Sequence, residues 1–325
     1  MKGTSMYTRA KTLSDVSHPR TELRAGGTDL QERLRTGVAS LPLVDISRIP
    51  GLDRVHLRGD GADLGALVTI REVGAHPDLQ QRYPALTLPA QLLATPQARM
   101  RGTMGGVLCQ RTRCWYYRNP EMACPKKGNA ERCPSREGNH HFGVCFDFGP
   151  CVYPHPSSIG CALLTYDASL SVTGRGRITV SELYGDGTAY RDHTLEPGEM
   201  ITAIHLPAPA PGERGGYQRL MSRALAEWPL VEVVVRLVVD DGKIRLARVA
   251  VGGVANIPFR LTEVEQALEG QPPSDSHLEA AARLATRRAS PLPQTHYKVA
   301  MVEALVLSTL QQARDDGSGA LGFAM

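Results

Sequence analysis

None of the seven cysteines in this 325-residue chain belongs to a CxxC pair. Structural zinc sites usually draw on such close pairs, so the absence weakens that reading from the start. The opening residues, "MKGTSMYTRAKTLSDV", lack the apolar run of a secretory signal. The most apolar stretch, "WPLVEVVVRLVV", is interrupted by Glu232 and Arg236 and is too short to span a bilayer. An odd thiol count in an apparently unexported chain argues against a disulfide framework. These absences predict a chain that is not inserted in a membrane. It is cytoplasmic by its own sequence, or periplasmic if exported with a signal-bearing partner. No stripe interleaves Lys or Arg with aromatics, and the net charge is only +4, so nothing calls for nucleic acid. No Ser/His/Asp set or pair of carboxylates suggests hydrolytic chemistry, and no internal repeat is present.

What is there reads as globular, with 42% hydrophobic and 22% charged residues. In "RAGGTDLQERLRTG", Gly26-Gly27 makes a tight turn, Thr28 or Asp29 caps a helix, and Gly37 ends it. Leu41–Ile46 reads as a buried strand, and "VHLRGDGADLGALV" as two strands about an Asp60-Gly61 turn. Thr69 and Glu72 have capping-box spacing, and one helix is expected across "LPAQLLATPQARM". "SSIGCALLTYDASLSVTGRGRITV" predicts a helix and a hairpin, and Pro207 to Gly216 a linker. Beyond it come a hairpin turning at Asp241-Gly242, a helix capped by Ser274, and a helix with Val299, Val302, Val306 and Leu310 on one stripe. The expected class is α+β, without an alternating βαβ series carrying the Rossmann fingerprint. The expected domains are 1–211, with an insertion at about 109–155, and 212–315, followed by a flexible tail at 316–325.

Six cysteines fall between residues 109 and 151, in a polar stretch rich in Gly and Pro. Cysteines serving as core hydrophobes would be scattered along apolar periods instead. The crowding predicts a metal site. Spacing leaves zinc open, along with an iron–sulfur cluster, whose larger body tolerates ligands spread over a long loop. Arg111, Arg113, Arg118, Lys126 and Lys127 are expected to offset the charge of four thiolates. His140 and His141, adjacent in a polar loop, are expected to be solvated, and Trp115, Tyr116 and Tyr117 to wall the site from water. Two glycine loops, "AGGTDL" and "GTMGG", can each turn backbone N–H groups on an anionic oxygen, which supports a phosphorylated ligand.

The order of "AGGTDL", "LVDISRIPGL", "LGALVTI", "HPDLQQRYPAL", "GTMGG", "HPSS", "DASLSV", "EMITAIHLP" and "GGVANIPFR" resembles the FAD-binding medium subunits of molybdenum hydroxylases. That group includes xanthine dehydrogenase and carbon monoxide dehydrogenase, and the resemblance runs over nearly the whole chain. It implies a two-lobed PCMH-type FAD domain and a smaller α+β domain of the carbon monoxide dehydrogenase flavoprotein C-terminal type. "QRTRCWYY…ACPKKG…RCPSREG" further resembles the periplasmic-type aldehyde oxidoreductases, whose FAD subunit carries a 4Fe–4S cluster in an inserted loop. On that match Cys114, Cys124, Cys133 and Cys151 are the ligands, with Cys109 and Cys145 spare.

The same resemblance assigns Ala25, Gly26, Gly27, Thr28, Asp29 and Leu30 to one phosphate loop and Gly105 and Gly106 to a second. Ser157 falls in a third motif, Ile201 lies near the isoalloxazine, and Arg219 stands at a position commonly Lys. Val107 and Ser158 replace an Asn and an Asp of the family pattern. The implied partners are a large molybdenum-cofactor subunit and a small 2Fe–2S subunit in a heterotrimer. Electrons would then pass from the 2Fe–2S centres through FAD to a final acceptor, making the chain the exit port of an aldehyde-oxidising complex. Three alternatives stand beside this: the FAD subunit of a hydroxybenzoyl-CoA type thioester reductase, a cluster-bearing scaffold that has lost FAD, and a zinc-dependent binding module.

Overall fold

The computed structural model describes residues 7–16, 21–40, 42–224 and 226–315. The expected tail at 316–325, the first six residues and Leu41 of the expected strand lie outside the described residues. Three sheets organise the rest. β1 (Tyr7–Arg9), β2 (Glu22–Arg24) and β3 (Leu43–Asp45) form a parallel sheet with β3 in the middle. β4 (Val55–Arg58), β5 (Gly61–Gly65), β6 (Ser169–Val172), β7 (Gly176–Thr179) and β8 (Ile201–Leu206) form an antiparallel sheet ordered β4-β5-β8-β6-β7. β9 (Glu213–Leu220), β10 (Val231–Asp240), β11 (Lys243–Gly252) and β12 (Phe259–Arg260) form the third, ordered β12-β11-β10-β9.

Several expectations change in detail. Arg58 pairs with Gly61, so the β4–β5 turn is Gly59-Asp60, one residue earlier than predicted. Gly61 belongs to the strand because a Cβ there would lie 2.4 Å from the Leu206 carbonyl oxygen of the neighbouring β8. The single helix expected over "LPAQLLATPQARM" is two helices, Pro84–Leu92 and Pro96–Arg101, the second capped by Thr95 with Pro96 at its first position. The last four residues of the expected linker are already β9. Gly215 and Gly216 are there for close approach, since Cβ atoms would meet Ala85 N at 2.6 Å and Thr309 O at 2.7 Å. Ser274 occupies the N-cap position but makes no side-chain capping bond; its hydroxyl meets His277 Nδ1 at 2.6 Å. The Thr69–Glu72 capping box and the 158–179 helix and hairpin form as expected, and β10 and β11 flank Asp241-Gly242.

β10 explains the near-continuous apolar run. It is buried on both faces, so period-two alternation sorts its side chains between two cores. Val233, Val235 and Leu237 pack with the helix Tyr297–Asp315, where Val302, Val306 and Leu310 are buried. Val234 turns the other way, into the core of the five-stranded sheet and the helix Ser158–Thr165. Glu232 and Arg236 share that second face and are tied off there. Glu232 accepts the Tyr217 hydroxyl at 2.9 Å, while Arg236 meets Glu213 at 2.9 Å and lies 4.6 Å over the Tyr166 ring. Among the described residues no helix is long and apolar enough to cross a membrane.

Tyr166 bridges within that second core: its hydroxyl donates to Glu213 at 2.5 Å and accepts the Ala85 N–H at 3.1 Å. Tyr166→Phe leaves the buried Ala85 N–H without a partner and takes one donor from Glu213, and is expected to cost about 1–3 kcal/mol. A urea midpoint equal to that of the parent chain would show that the fold does not depend on this bridge.

Candidate functional site

The residues after β2 form the first part of the site. Gly26 passes so close to the neighbouring loop that a Cβ would lie 1.6 Å from the Arg101 carbonyl oxygen. Gly27 has φ +76°, the left-handed region that favours glycine. Among the described residues, the backbone N–H groups of Gly26, Gly27, Thr28 and Asp29 reach no protein acceptor. Four free amides in a row are a ready anion cradle. They open on a cavity of about 430 Å³ lined also by Ala25, Leu30, Thr103, Gly105, Gly106 and Ile201. Leu52, Leu67 and Met200 add apolar wall, while Arg111 and His193 add polar groups.

The second glycine loop contributes differently. Gly105 N–H is bonded to Ala66 O at 2.8 Å, and Gly106 N–H to the capping Thr103 hydroxyl at 3.2 Å. The Gly105 amide holds the loop against the residue after β5, and the Gly106 amide is used up in the loop's own cap, so neither stands free. Ser157 and Arg219 do not line the large cavity. Ser157 is buried and caps its helix by accepting Gly160 N–H at 2.9 Å. Arg219 lines a smaller cavity of about 110 Å³ with Ser158, Val107, Trp228 and Thr28. Thr28 lines both cavities, so the two meet at that residue.

Asp29 does not cap the helix Leu30–Arg35. Its carboxylate takes Arg33 at 3.1 Å, Arg113 at 3.1 Å and Arg118 at 2.6 Å. Burial opposes its charge, yet Arg113 and Arg118 hold the carboxyl below its ordinary range. Two of these guanidiniums come from the cysteine segment, so the phosphate loop and the thiols are bolted together. Of the five cations expected to offset four thiolates, Lys126 and Lys127 act on Cys124 and Lys126 on Cys151, while Arg113 and Arg118 are taken up by Asp29. Arg113 also reaches Glu32 at 2.8 Å, Lys126 pairs with buried Asp192, and Lys127 donates to the carbonyls of Tyr116, Asn119 and Met122.

Within the segment, Cys114, Cys124 and Cys151 are buried and Cys133 is half-buried. Cys114 lies within electrostatic reach of Cys124 and Cys151, and Cys133 within reach of the same two. The sulfurs of Cys114, Cys124 and Cys151 receive backbone N–H groups from Tyr116 and Tyr117, Lys126, and Tyr153 respectively. Burial pushes the Cys114 thiol up to about 12, so a cation must displace its proton. Among the described residues, no three His, Cys, Asp or Glu side chains are close enough to hold a single metal ion. Cys109, Cys145 and Cys161 have Arg111, Lys298 and Glu232 as their charged neighbours instead.

His140 is not solvated: it is 4% exposed, its Nδ1 faces the Ser135 and Gly138 carbonyls, and its Nε2 accepts Gln294 N–H at 3.3 Å. It ties the loop to the C-terminal region. His141 is exposed and stacks on Tyr297. Trp115 is 53% exposed and Tyr117 is buried, so only part of the aromatic triplet walls the thiols. Sequence reasoning missed Thr103, whose only signal is its place before a short helix, and the Arg113–Trp228 stack at 4.3 Å, which no local pattern announces.

Comparison with known proteins places this architecture. Residues 3–209 match the FAD binding domain in molybdopterin dehydrogenase, and residues 217–313 the CO dehydrogenase flavoprotein C-terminal domain. The chain belongs to the FAD-binding medium subunits of the molybdenum hydroxylase and CO dehydrogenase family, and is an oxidoreductase subunit. It is 29% identical to the aldehyde oxidoreductase FAD-binding subunit PaoB of Escherichia coli K12 over 93% of this chain and 94% of that protein. It is 25% identical to the carbon monoxide dehydrogenase medium chain of Afipia carboxidovorans, over 96% and 97%. Among solved structures, carbon monoxide dehydrogenase from Hydrogenophaga pseudoflava superposes with a TM-score of 0.74 at 24% identity, over 95% and 96% of the two chains. The fold expected from the sequence, a PCMH-type FAD domain followed by the flavoprotein C-terminal domain, is the fold found.

The amide cradle gives a direct test. Gly26→Ala forces the loop away from Arg101 and is expected to abolish FAD retention while leaving the far C-terminal sheet folded. Flavin released per chain, read beside far-ultraviolet circular dichroism, checks it. Parent-level flavin in the variant would remove the cradle from the site.

Proposed function

We propose that this chain is the FAD and 4Fe–4S electron-transfer subunit of a molybdenum-containing aldehyde oxidoreductase. It would accept electrons from 2Fe–2S centres on a small subunit, beside a large subunit that holds the molybdenum cofactor. The observation that carries the reading is the salt-bridged union of two segments on Asp29: free amides on one side and the cysteine-rich segment on the other. FAD, when bound, supplies a centre that accepts electrons singly and releases them in pairs.

The residues fit such a ligand. The amides of Gly26 to Asp29 would hold the pyrophosphate, and Gly105 and Gly106 would let it approach the second loop. Ile201 offers apolar surface to a ring, while Arg219 offers a cation in the adjoining cavity. Ser157 acts through its cap, fixing the helix start beside Ser158. Val107 and Ser158 withhold two side-chain partners usual in the family, each worth about 0.5–1.5 kcal/mol. Ser158 instead bonds Glu232, so a buried carboxylate still stands behind that position. Cys114, Cys124, Cys133 and Cys151 would hold the cluster, with backbone N–H groups on three of the sulfurs tuning it. Relatedness to PaoB, an aldehyde oxidoreductase subunit, favours aldehydes over thioesters.

The domain reading follows: 1–211 with the cluster insertion at about 109–155, then 212–315. Flavin and iron quantified per chain in the anaerobically purified complex test the proposal. About one FAD, with four irons beyond the small subunit's share, is expected. Intact iron without FAD would make the chain a scaffold. Cys124→Ser is expected to bleach the cluster absorbance and destabilise the loop; full iron content in that variant would overturn the ligand assignment.

A further inference from the structure

A third cavity, of about 310 Å³, opens between the cysteine segment and the third sheet. Aromatic rings form its walls. Trp115 meets Phe142 edge-on at 5.7 Å, and Trp228 carries the Arg113 guanidinium over its face. Trp115 and Trp228 are the only tryptophans in the chain, and they are 53% and 45% exposed. Two half-exposed indoles on one cavity leave apolar surface open to a ligand beyond their contacts with Phe142 and Arg113.

The polar side of the cavity is cationic. Lys298 lines it, is 1% exposed, and donates Nζ to the carbonyls of Gly253 at 2.8 Å and Phe142 at 3.3 Å. An ammonium has three donors, so one N–H remains. Among the described residues no carboxylate pairs with it. A buried charge without a counter-ion is costly, and burial pushes this amine down to about 8. Arg113 and Arg223 also line the cavity. Its one acid, Glu227, is already held by Ser222 at 2.6 Å and Arg223 at 3.1 Å.

We propose that this cavity binds a planar aromatic anion, its ring against the two indoles and its oxyanion on Lys298. The site shares Arg113 and Trp228 with the smaller cavity beside Thr28 but no residue with the large cavity of the amide cradle, so the proposal goes beyond the cofactor reading and does not depend on it.

Calorimetric titration of the full chain with naphthalene-2-sulfonate and its neutral isostere, naphthalene-2-sulfonamide, tests it. One sulfonate per chain is expected, bound about tenfold more tightly than the sulfonamide. Lys298→Met is expected to remove that preference. Should that variant fail to fold, Trp115→Leu, at an exposed position, is expected to weaken both probes about fivefold. Equal affinity for the two probes, sulfonate binding unchanged in Trp115→Leu, or displacement of the sulfonate by equimolar FAD would each overturn the proposal. A chain that binds the sulfonate in this way but retains no FAD supports it, and overturns the cofactor reading alone.

Discussion

Three guanidiniums converge on the buried carboxylate of Asp29, and the rest of the site hangs from that convergence. Arg33 fixes the helix that follows the amide cradle and forks onto Glu22 of β2 at 3.0 and 3.1 Å. Arg113 and Arg118 bring in the cysteine segment on either side of Cys114 and its short helix. Each of these arginines finds a further acceptor, so the charges close into a network. Removing one guanidinium would leave Asp29 two others, and removing Asp29 would leave each arginine its further acceptor. A carboxylate expected as a helix cap serves instead to join two segments of the chain.

A segment without apolar periodicity must be held by polar contacts, and this one is held at both ends. Toward the first lobe it uses the Asp29 network and the Lys126–Asp192 pair, where burial opposes the Asp192 charge but Lys126 and then Arg111 keep it ionised. Toward the C-terminal lobe, the N–H groups of Cys145 and Phe146 both donate to Val254 O, and Thr295 donates to Val144 O at 2.8 Å. Phe146 meets Phe259 of β12 edge-on. The insertion is therefore held from both sides, and it carries its thiols on a segment whose helices are only a turn or so long.

Local chemistry made much of this legible beforehand. Capping-box spacing at Thr69 and Glu72, the Asp-Gly hairpin before Lys243, and the stripe on the last helix act through neighbours three or four residues away, and all three form. The motif match names Cys114, Cys124, Cys133 and Cys151, each within electrostatic reach of two of the others, while Cys109, Cys145 and Cys161 have other charged neighbours. What sequence could not show is long-range pairing. Gly215 and Gly216 look like linker residues until Ala85 and Thr309 pack against them. His140 looks solvated until Gln294, far along the chain, donates to it. Asp29 looks like a cap because its three guanidinium partners include two that lie 84 and more residues away in sequence.

Arg113 is where these long-range effects meet. It precedes Cys114, bonds Asp29 and Glu32, stacks on Trp228, and lines both the smaller cavity beside Thr28 and the aromatic one. One planar group does all of this because its fork can grip carboxylates in the plane while its face lies on an indole. A lysine would keep the charge but lose the fork and the stack together.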